Sequence, residues 1–382
     1  MLAFEIALVL SLVWIAYALV VYPLLSLGIG LLSSLWSQVR KGDATPTLSV
    51  IVSAYNEEAV IHDKIAATLA LDYPRDRIEV IVASDGSTDR TDEIVKTFGD
   101  PRVRLFRSEG RLGKTAALNG AVGVASGEIL VFSDATGEFS PNALRALASN
   151  FADPRVGCVA GRVAYRYGED RTSQGFRGYQ RVAVAIRRAE NAFGDQTSVS
   201  GSIHAMRREL FRPGVPGFSM DVIDALHTVL QGRRVVYEYD AVSLEDSRTR
   251  TRDEWRARVR ISVRNNSMTP YIVRELVRHR RWRFAFQMLS HKLLRWWLWL
   301  PLAVAFVSSL VLAGQHWAYA LLAAGQVAFY ALALLGLVAG RRLPGQRIAA
   351  FAAFFVMGNA AACVGTLTAL AGAQRAAWEP IR

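Results

Sequence analysis

Ile78-Glu79-Val80-Ile81-Val82-Ala83-Ser84-Asp85-Gly86-Ser87-Thr88-Asp89 is a β-branched apolar run that stops on a polar turn and gives way to a helical pattern over 88–98. The same succession recurs on both sides of it. Leu48-Ser49-Val50-Ile51-Val52 ends at Ser53-Ala54-Tyr55-Asn56 and leads into a helical pattern over 58–71. A shorter run at 103–106 precedes a helical stretch at 114–125, and 129–132 ends at Ser133-Asp134 before another at 141–151. Short β-branched runs between turn residues read as strands, and strands alternating with helices predict a mostly parallel, doubly wound α/β sheet. Ligands of such sheets bind outside the carboxyl ends of the strands. Asn56-Glu57, Asp85 and Asp134 all fall there, so three loops are expected to bring carboxylates to one edge of one sheet.

Outside this region the 382-residue chain, 52% apolar overall, becomes almost uniformly apolar. The stretch 2–36 ends on Gln38-Val39-Arg40-Lys41. Roughly 20 apolar residues cross a bilayer, so 2–36 suits one long helix, or a span continued along the interface beyond a bend at Pro23. It is too long for a cleaved signal peptide and has no basic residue ahead of it. Three further spans are expected at 296–314, 317–340 and 348–372. The loop Gly314-Gln315-His316 is uncharged, whereas Arg341-Arg342-Leu343-Pro344-Gly345-Gln346-Arg347 is strongly basic. The positive-inside rule then puts that basic loop, Arg40-Lys41 and the arginine-rich middle of the chain in the cytoplasm, with the N-terminus outside. The expected layout is a membrane helix within 1–40, a catalytic domain over 41–280, an interfacial amphipathic helix over 281–297, three membrane helices over 296–372 and a tail at 373–382. Cys158 and Cys363 imply no disulfide framework. The net charge of +12 is concentrated between Arg155 and Arg295. No nucleic-acid module accompanies it, and basic residues beside spans face anionic headgroups, so membrane lipids are expected partners and nucleic acid is not.

The motifs have both plain and chemical readings. Asp85-Gly86-Ser87-Thr88-Asp89 makes a capped strand-to-helix turn, or a site where Asp85 accepts hydrogen bonds from a nucleotide base. Gly110-Arg111-Leu112-Gly113-Lys114-Thr115 departs from the phosphate-binding loop of nucleotide triphosphatases, since Ser108 stands where that pattern requires glycine. Lys114 at a helix start remains well placed for a diphosphate. Asp134 can supply one carboxylate ligand to Mg²⁺ or Mn²⁺, but Thr136 occupies the position of a second acid. Asp221 opens a helix, where acids are favoured by the dipole; it could equally deprotonate an acceptor hydroxyl. Arg256, Arg258, Arg260 and Arg264 form a basic helical stretch that either faces headgroups or reaches a diphosphate.

The order of these motifs resembles the membrane-bound branch of glycosyltransferase family 2, which includes cellulose-, chitin- and hyaluronan-synthase-like enzymes. The resemblance rests on Ser53-Ala54-Tyr55-Asn56-Glu57, Ser84-Asp85-Gly86-Ser87-Thr88-Asp89, Gly113-Lys114-Thr115-Ala116-Ala117-Leu118-Asn119, Phe132-Ser133-Asp134-Ala135 and Gly232-Arg233-Arg234-Val235-Val236-Tyr237-Glu238, with Ser290-His291-Lys292-Leu293-Leu294-Arg295-Trp296 at the membrane entry. It implies a GT-A fold, a nucleotide-sugar donor (commonly a UDP-sugar), Mg²⁺ or Mn²⁺, and inversion at the anomeric carbon. Ala54, Tyr55, Glu57, Asp85, Lys114 and Ser133 would then bind the nucleotide, and Asp134 the metal. Asp221 would be the catalytic base, while Gly201, Arg256 and Arg260 would meet the diphosphate or the acceptor.

Two departures narrow the expectation. Met220 and Thr136 replace companion acids, which makes a catalytically impaired scaffold an alternative. Ala257 and Ile261 replace the glutamine and tryptophan of the processive enzymes' Gln-x-x-Arg-Trp motif. Together with only four spans, this favours single transfer to a lipid-linked or glycan acceptor over a processive exopolysaccharide synthase. The expected location is the bacterial inner membrane, with the catalytic domain cytoplasmic.

Overall fold

The computed structural model describes residues 1–33, 39–166, 171–246, 251–338 and 346–372. The expected tail and most of the basic loop at 341–347 lie outside the described residues. Helix α1 (Leu2–Ala16), a π-helical turn (Tyr17–Val21) and α2 (Tyr22–Ser33) run on as one apolar segment. Pro23 has no N–H to donate, and the chain meets this by widening into the π turn just before it instead of breaking. The soluble region then follows as β1 (Leu48–Ala54), α3 (Ile61–Leu69), β2 (Ile78–Ser84), α4 (Thr91–Lys96), β3 (Val103–Arg107), α5 (Lys114–Gly123), β4 (Ile129–Asp134), β5 (Glu138–Phe139), α6 (Ala143–Ser149), β6 (Val156–Arg166), α7 (Arg171–Phe193), β7 (Ile203–Arg207), α8 (Met220–Leu230), β8 (Arg234–Asp246) and α9 (Thr251–Arg278). The chain re-enters the apolar region through α10 (Trp282–Gln287), a second π turn (Met288–Leu293), α11 (Leu294–Trp296), α12 (Trp299–Leu312), α13 (Trp317–Val338) and α14 (Gln346–Leu370).

One eight-stranded sheet has the order β3-β2-β1-β4-β7-β6-β8-β5. Its first four neighbours are parallel, β7 runs against both β4 and β6, and β6 pairs parallel with β8. Strand alternation divides the core. Val50, Val52, Val80, Val82 and Val131 pack with Ile61, Ile65, Leu144 and Leu147 on one face. Ile51, Ile81, Leu130 and Phe132 pack with Leu118, Ile223 and Leu226 on the other. Burial on both faces is why these strands read as continuous apolar runs instead of alternating ones.

Among the described residues three helices are long and apolar enough to cross a membrane, namely Leu2–Ser33, Trp317–Val338 and Ile348–Leu370, with a fourth span if Trp282–Trp296 and Trp299–Leu312 act as one bent pair. The span expected at 296–314 therefore differs from what is observed. The helix breaks at Trp297, whose ψ of 11° leaves the helical basin, and the two parts meet at 55°. Pro301 explains the break, because its ring and missing N–H cannot continue a helix from Trp297. The segment expected to lie along the interface turns one face into the core and leaves Trp282, Phe286 and Leu289 exposed. Phe284 and Met288 are buried with Met268, Ile272 and Leu276 of α9 beneath α8.

Polar contacts fasten the N-terminal helix to this buried segment. Trp14 donates its indole N–H to the Leu294 carbonyl at 3.1 Å, and the Tyr17 and Ser290 hydroxyls, one from each π turn, lie 2.8 Å apart. The Tyr22 hydroxyl donates to the fully buried Glu190 carboxylate of α7 at 2.6 Å, and His291 Nδ1 meets the same oxygen at 2.8 Å. A hydrogen bond to a buried charge contributes about 1.5–3 kcal/mol. Tyr22→Phe should therefore lower the unfolding temperature of the detergent-solubilised protein, whereas Tyr319→Phe, which has no such partner, should not; equal melting of both variants and the native chain would remove this link.

Candidate functional site

Ser84, Ala54 and Asp134 end three adjacent parallel strands, which brings their loops to one edge. The loops are interlocked by side chain to backbone bonds. The Asn56 and Glu57 N–H groups donate to Ser87 Oγ (3.1 Å) and Thr91 Oγ1 (2.8 Å), and the Thr88 N–H donates to Asn56 Oδ1 (2.8 Å). Asn56 adopts φ +55°, a left-handed turn that asparagine tolerates.

Asp85 is buried, and its carboxylate accepts the N–H groups of Leu112 (2.8 Å) and Gly113 (2.9 Å). The amides of the 110–113 loop are thus taken by a protein carboxylate, where a triphosphatase would present them to phosphate. Burial raises the Asp85 pKa, with those two amides opposing it. Gly86 permits the close approach: its φ is +68°, and a Cβ there would lie 2.6 Å from the Gly110 carbonyl carbon. Beyond the loop, the Arg111 guanidinium stacks 4.3 Å from the Tyr55 ring.

The turn after β4 holds an acid bonded from three different elements. Asp134 accepts from Lys114 Nζ and from Ser53 Oγ (2.9 Å) on one oxygen and from Ser202 Oγ (3.2 Å) on the other. Burial would raise its pKa, yet the adjacent Lys114 ammonium and the two hydroxyls outweigh this and hold it below the usual value. Gly201 belongs to the same place, since a Cβ there would face Lys114 Nζ at 3.5 Å. Thr136 is exposed, and no three His, Cys, Asp or Glu side chains cluster among the described residues. The donor set is one carboxylate with neighbouring hydroxyls. That suits a magnesium or manganese ion held jointly with the phosphates of a donor, a common arrangement for Mg²⁺, and does not make an all-protein cage.

Asp221 lies in the first turn of α8, where the Ser219 hydroxyl donates to its carboxylate. Its carbonyl accepts the Val199 N–H at 2.8 Å, so the turn carrying Gly201 and Ser202 to Asp134 is anchored on the residue itself. The start of α5 is tied in as well. Asn119 exchanges two 2.9 Å hydrogen bonds with the Gly214 backbone, and Thr115 Oγ1 donates to the Phe218 carbonyl at 3.3 Å. Of the basic row on α9, Arg264 is the member whose charge reaches Asp221; burial lowers its pKa and Asp221 opposes the shift. Lys292, from the second π turn, also reaches Asp221 electrostatically. Arg256 is exposed, Arg260 is half-buried, and Arg258 turns toward α14, stacking on Phe354 at 4.2 Å. Ala54 and Ser133 are buried: the first offers its carbonyl to the Asp85 N–H and the second its hydroxyl to the Asp134 carbonyl.

Sequence reading missed two features. Within β7, His204 stacks on Phe132 at 4.6 Å between centroids and joins the Ser200 carbonyl (2.7 Å) to the buried Asp224 of α8 (3.1 Å). Polar residues at inward strand and helix positions were the only signal. Lys64 of α3 is also buried, donating to the Gly137 carbonyl and stacking 4.3 Å from Phe139, and so supports the turn after Asp134.

Residues 49–214 match the family model described as Glycosyl transferase family 2. Probable glycosyltransferase YdaM of Bacillus subtilis is 33% identical over 123 residues, which is 31% of this chain and 29% of that protein. Beta-monoglucosyldiacylglycerol synthase of Synechocystis is 35% identical over 131 residues, 32% of this chain and 27% of that one. Poly-beta-1,6-N-acetyl-D-glucosamine synthase of Staphylococcus epidermidis is 28% identical over 161 residues, 40% of this chain and 38% of that one. The chain thus spans well under half the length of each of these relatives. Mannosyltransferase PcManGT from Pyrobaculum calidifontis, solved with GDP-Man and Mn²⁺, superposes with a TM-score of 0.70 at 24% identity, over 95% of this chain and 99% of that one. At that identity what is shared is the fold.

Lys64 supplies a pH test. Burial lowers its pKa to about 8, with Asp134 pulling the other way. The unfolded chain keeps this proton up to about 10.4, so between those values the unfolded state binds more protons and stability rises with pH. Below about pH 8 the ammonium is charged in both states and its burial is opposed in full. Between pH 8 and 10 the melting temperature of the native chain should therefore gain on that of Lys64→Met; parallel curves would show that Lys64 is not depressed.

Proposed function

We propose that this chain, which carries a family 2 glycosyltransferase domain on a GT-A fold, moves a sugar from a nucleotide-sugar donor to a lipid-linked or glycan acceptor with inversion at the anomeric carbon. The observation that carries the reading is the pairing of two centres by one short turn. Lys114 and Asp134 sit at its Gly201-Ser202 end, and Asp221 is at its Val199 end. An enzyme of this class needs a cation for the leaving diphosphate on one side of the sugar and a base for the acceptor on the other.

In this reading the nucleotide lies against Tyr55, Glu57 and the loop held by Asp85, with Arg111 covering Tyr55. Lys114 turns from Asp134 to the diphosphate as that charge arrives. A Mg²⁺ or Mn²⁺ ion, when bound, would be held by Asp134 with the donor's phosphates and would neutralise charge on the leaving group. The Asp221 carboxylate takes the proton of the acceptor hydroxyl. The acceptor oxygen bonds to the anomeric carbon from the face opposite the diphosphate, and the bond to the diphosphate breaks. Arg264 and Lys292 place positive charge within reach of that carboxylate. A base so furnished is hard to reconcile with a non-catalytic scaffold. The catalytic domain is assigned to 41–280, on the cytoplasmic side of a bacterial inner membrane.

Single transfer is favoured over processive synthesis by the surroundings of α9. Ala257 is fully buried and Ile261 is 49% exposed, where the processive pattern has glutamine and tryptophan. With a panel of nucleotide-sugars and membrane acceptors, Asp221→Asn should lose about 10²–10⁴-fold in transfer rate while still being stabilised by nucleoside diphosphate. Products carrying one added sugar are expected. Retained activity would exclude Asp221 as base, and a long polymer from purified protein would exclude single transfer.

A further inference from the structure

A groove of about 530 Å³ runs between β6 and α7, lined by none of the residues given roles above. Arg181, Val184, Ala185 and Arg188 line one wall at the i, i+3, i+4, i+7 spacing of a single helix face. Arg162, Tyr165 and, from β8, Tyr239 form the other. The Arg162 and Arg188 guanidiniums both stack on the Tyr239 ring, at 4.3 and 4.8 Å, and Arg162 is fixed further by donating Nε–H to the Tyr239 carbonyl at 3.0 Å. No carboxylate lines the groove among the described residues. Two neighbouring acids, Glu138 and Asp246, pair with Arg166. Two guanidiniums held on one ring with a third nearby repel one another, and a bound anion would relieve that repulsion. Stacking leaves the N–H edges of arginine free to bond phosphate.

The position of the groove says which anion. It adjoins the site, because Gly161, just before Arg162, packs on Ile203, the neighbour of the Ser202 that holds Asp134. It also adjoins the apolar N-terminal helix. A Cβ on Gly30 would lie 2.7 Å from Ala189, and Glu190 accepts from Tyr22, both on the part of α7 that follows Arg188. A ligand here lies between a strand tied to the Asp134 turn and a helix packed on one apolar enough to span a bilayer.

We propose that this groove binds the phosphate or diphosphate group of an amphiphilic acceptor. The identification as acceptor rests on the transfer reading above; the binding does not. The full chain in neutral maltoside micelles would be titrated with farnesyl phosphate, with inorganic pyrophosphate, and separately with UDP and GDP. Farnesyl phosphate should bind the native chain, and the Arg181→Ala/Arg188→Ala double variant should bind it about tenfold or more weakly, as loss of charge-assisted bonds implies. Both side chains are exposed, so their removal leaves the fold intact, and the nucleoside diphosphate affinity should not change. Pyrophosphate binding with the same arginine dependence would mean that the phosphate alone suffices; binding by farnesyl phosphate only would mean that the lipid chain is needed. Either supports the groove. Equal affinity of native and double variant, or no binding of either phosphate probe, would overturn it. Failure of the native chain to bind either nucleoside diphosphate would instead undo the transfer reading.

Discussion

The site depends on keeping a carboxylate ionised at the end of β4. Desolvation opposes the charge of Asp134, and an unpaired acid there would take up a proton. Lys114 supplies the counter-charge, while Ser53 from β1 and Ser202 from the β7 approach supply hydrogen bonds. Each partner comes from a different element. Meeting the requirements of one carboxylate therefore fixes the start of α5, the end of β1 and the 199–202 turn relative to one another.

The constraint propagates outward through that turn. Its Val199 N–H rests on the Asp221 carbonyl, and its Ser200 carbonyl rests on His204, which in turn meets Asp224 one turn further along α8. Asp221, proposed as the base, and the proposed diphosphate site thus share a support, which is what a reaction needing both in fixed register requires. The membrane-proximal segments join the same assembly. Arg264 and Lys292 reach Asp221, and the π turn that carries Lys292 is fastened to the N-terminal helix through Ser290 and, by way of Glu190, to Tyr22. Changes in the apolar helices are therefore positioned to affect Asp221.

Much of this was legible in the residues before any coordinates. The β-branched runs ending in Ser84-Asp85, Ser53-Ala54 and Ser133-Asp134 became adjacent parallel strands because strands buried on both faces leave an unmistakable apolar signature. Asp85 was singled out, but its bonds to Leu112 and Gly113 were not, since a partner 28 residues away leaves no periodic trace. The mixed face of 281–297 reads as interfacial, and the fold adds that one side of it is buried. That same pattern of Phe284 and Met288 serves equally to fill a protein core, and periodicity alone does not tell lipid from protein. His204 and Lys64 escaped notice because a single polar residue in an apolar stretch has no pattern at all; only the fold brings Asp224 and Gly137 to them. The arginine-dense stretch of α9 was legible as a group, but which arginine faces Asp221 was decided by packing against α14.

The proposed reaction is a single displacement on the anomeric carbon, with Asp221 taking the acceptor's proton. Its most direct test is proton NMR of the anomeric configuration of the first-formed glycoside, made by the purified chain from an α-linked nucleotide-sugar. A single displacement gives a β-linked product from the outset of the reaction; an α-linked product would rule it out.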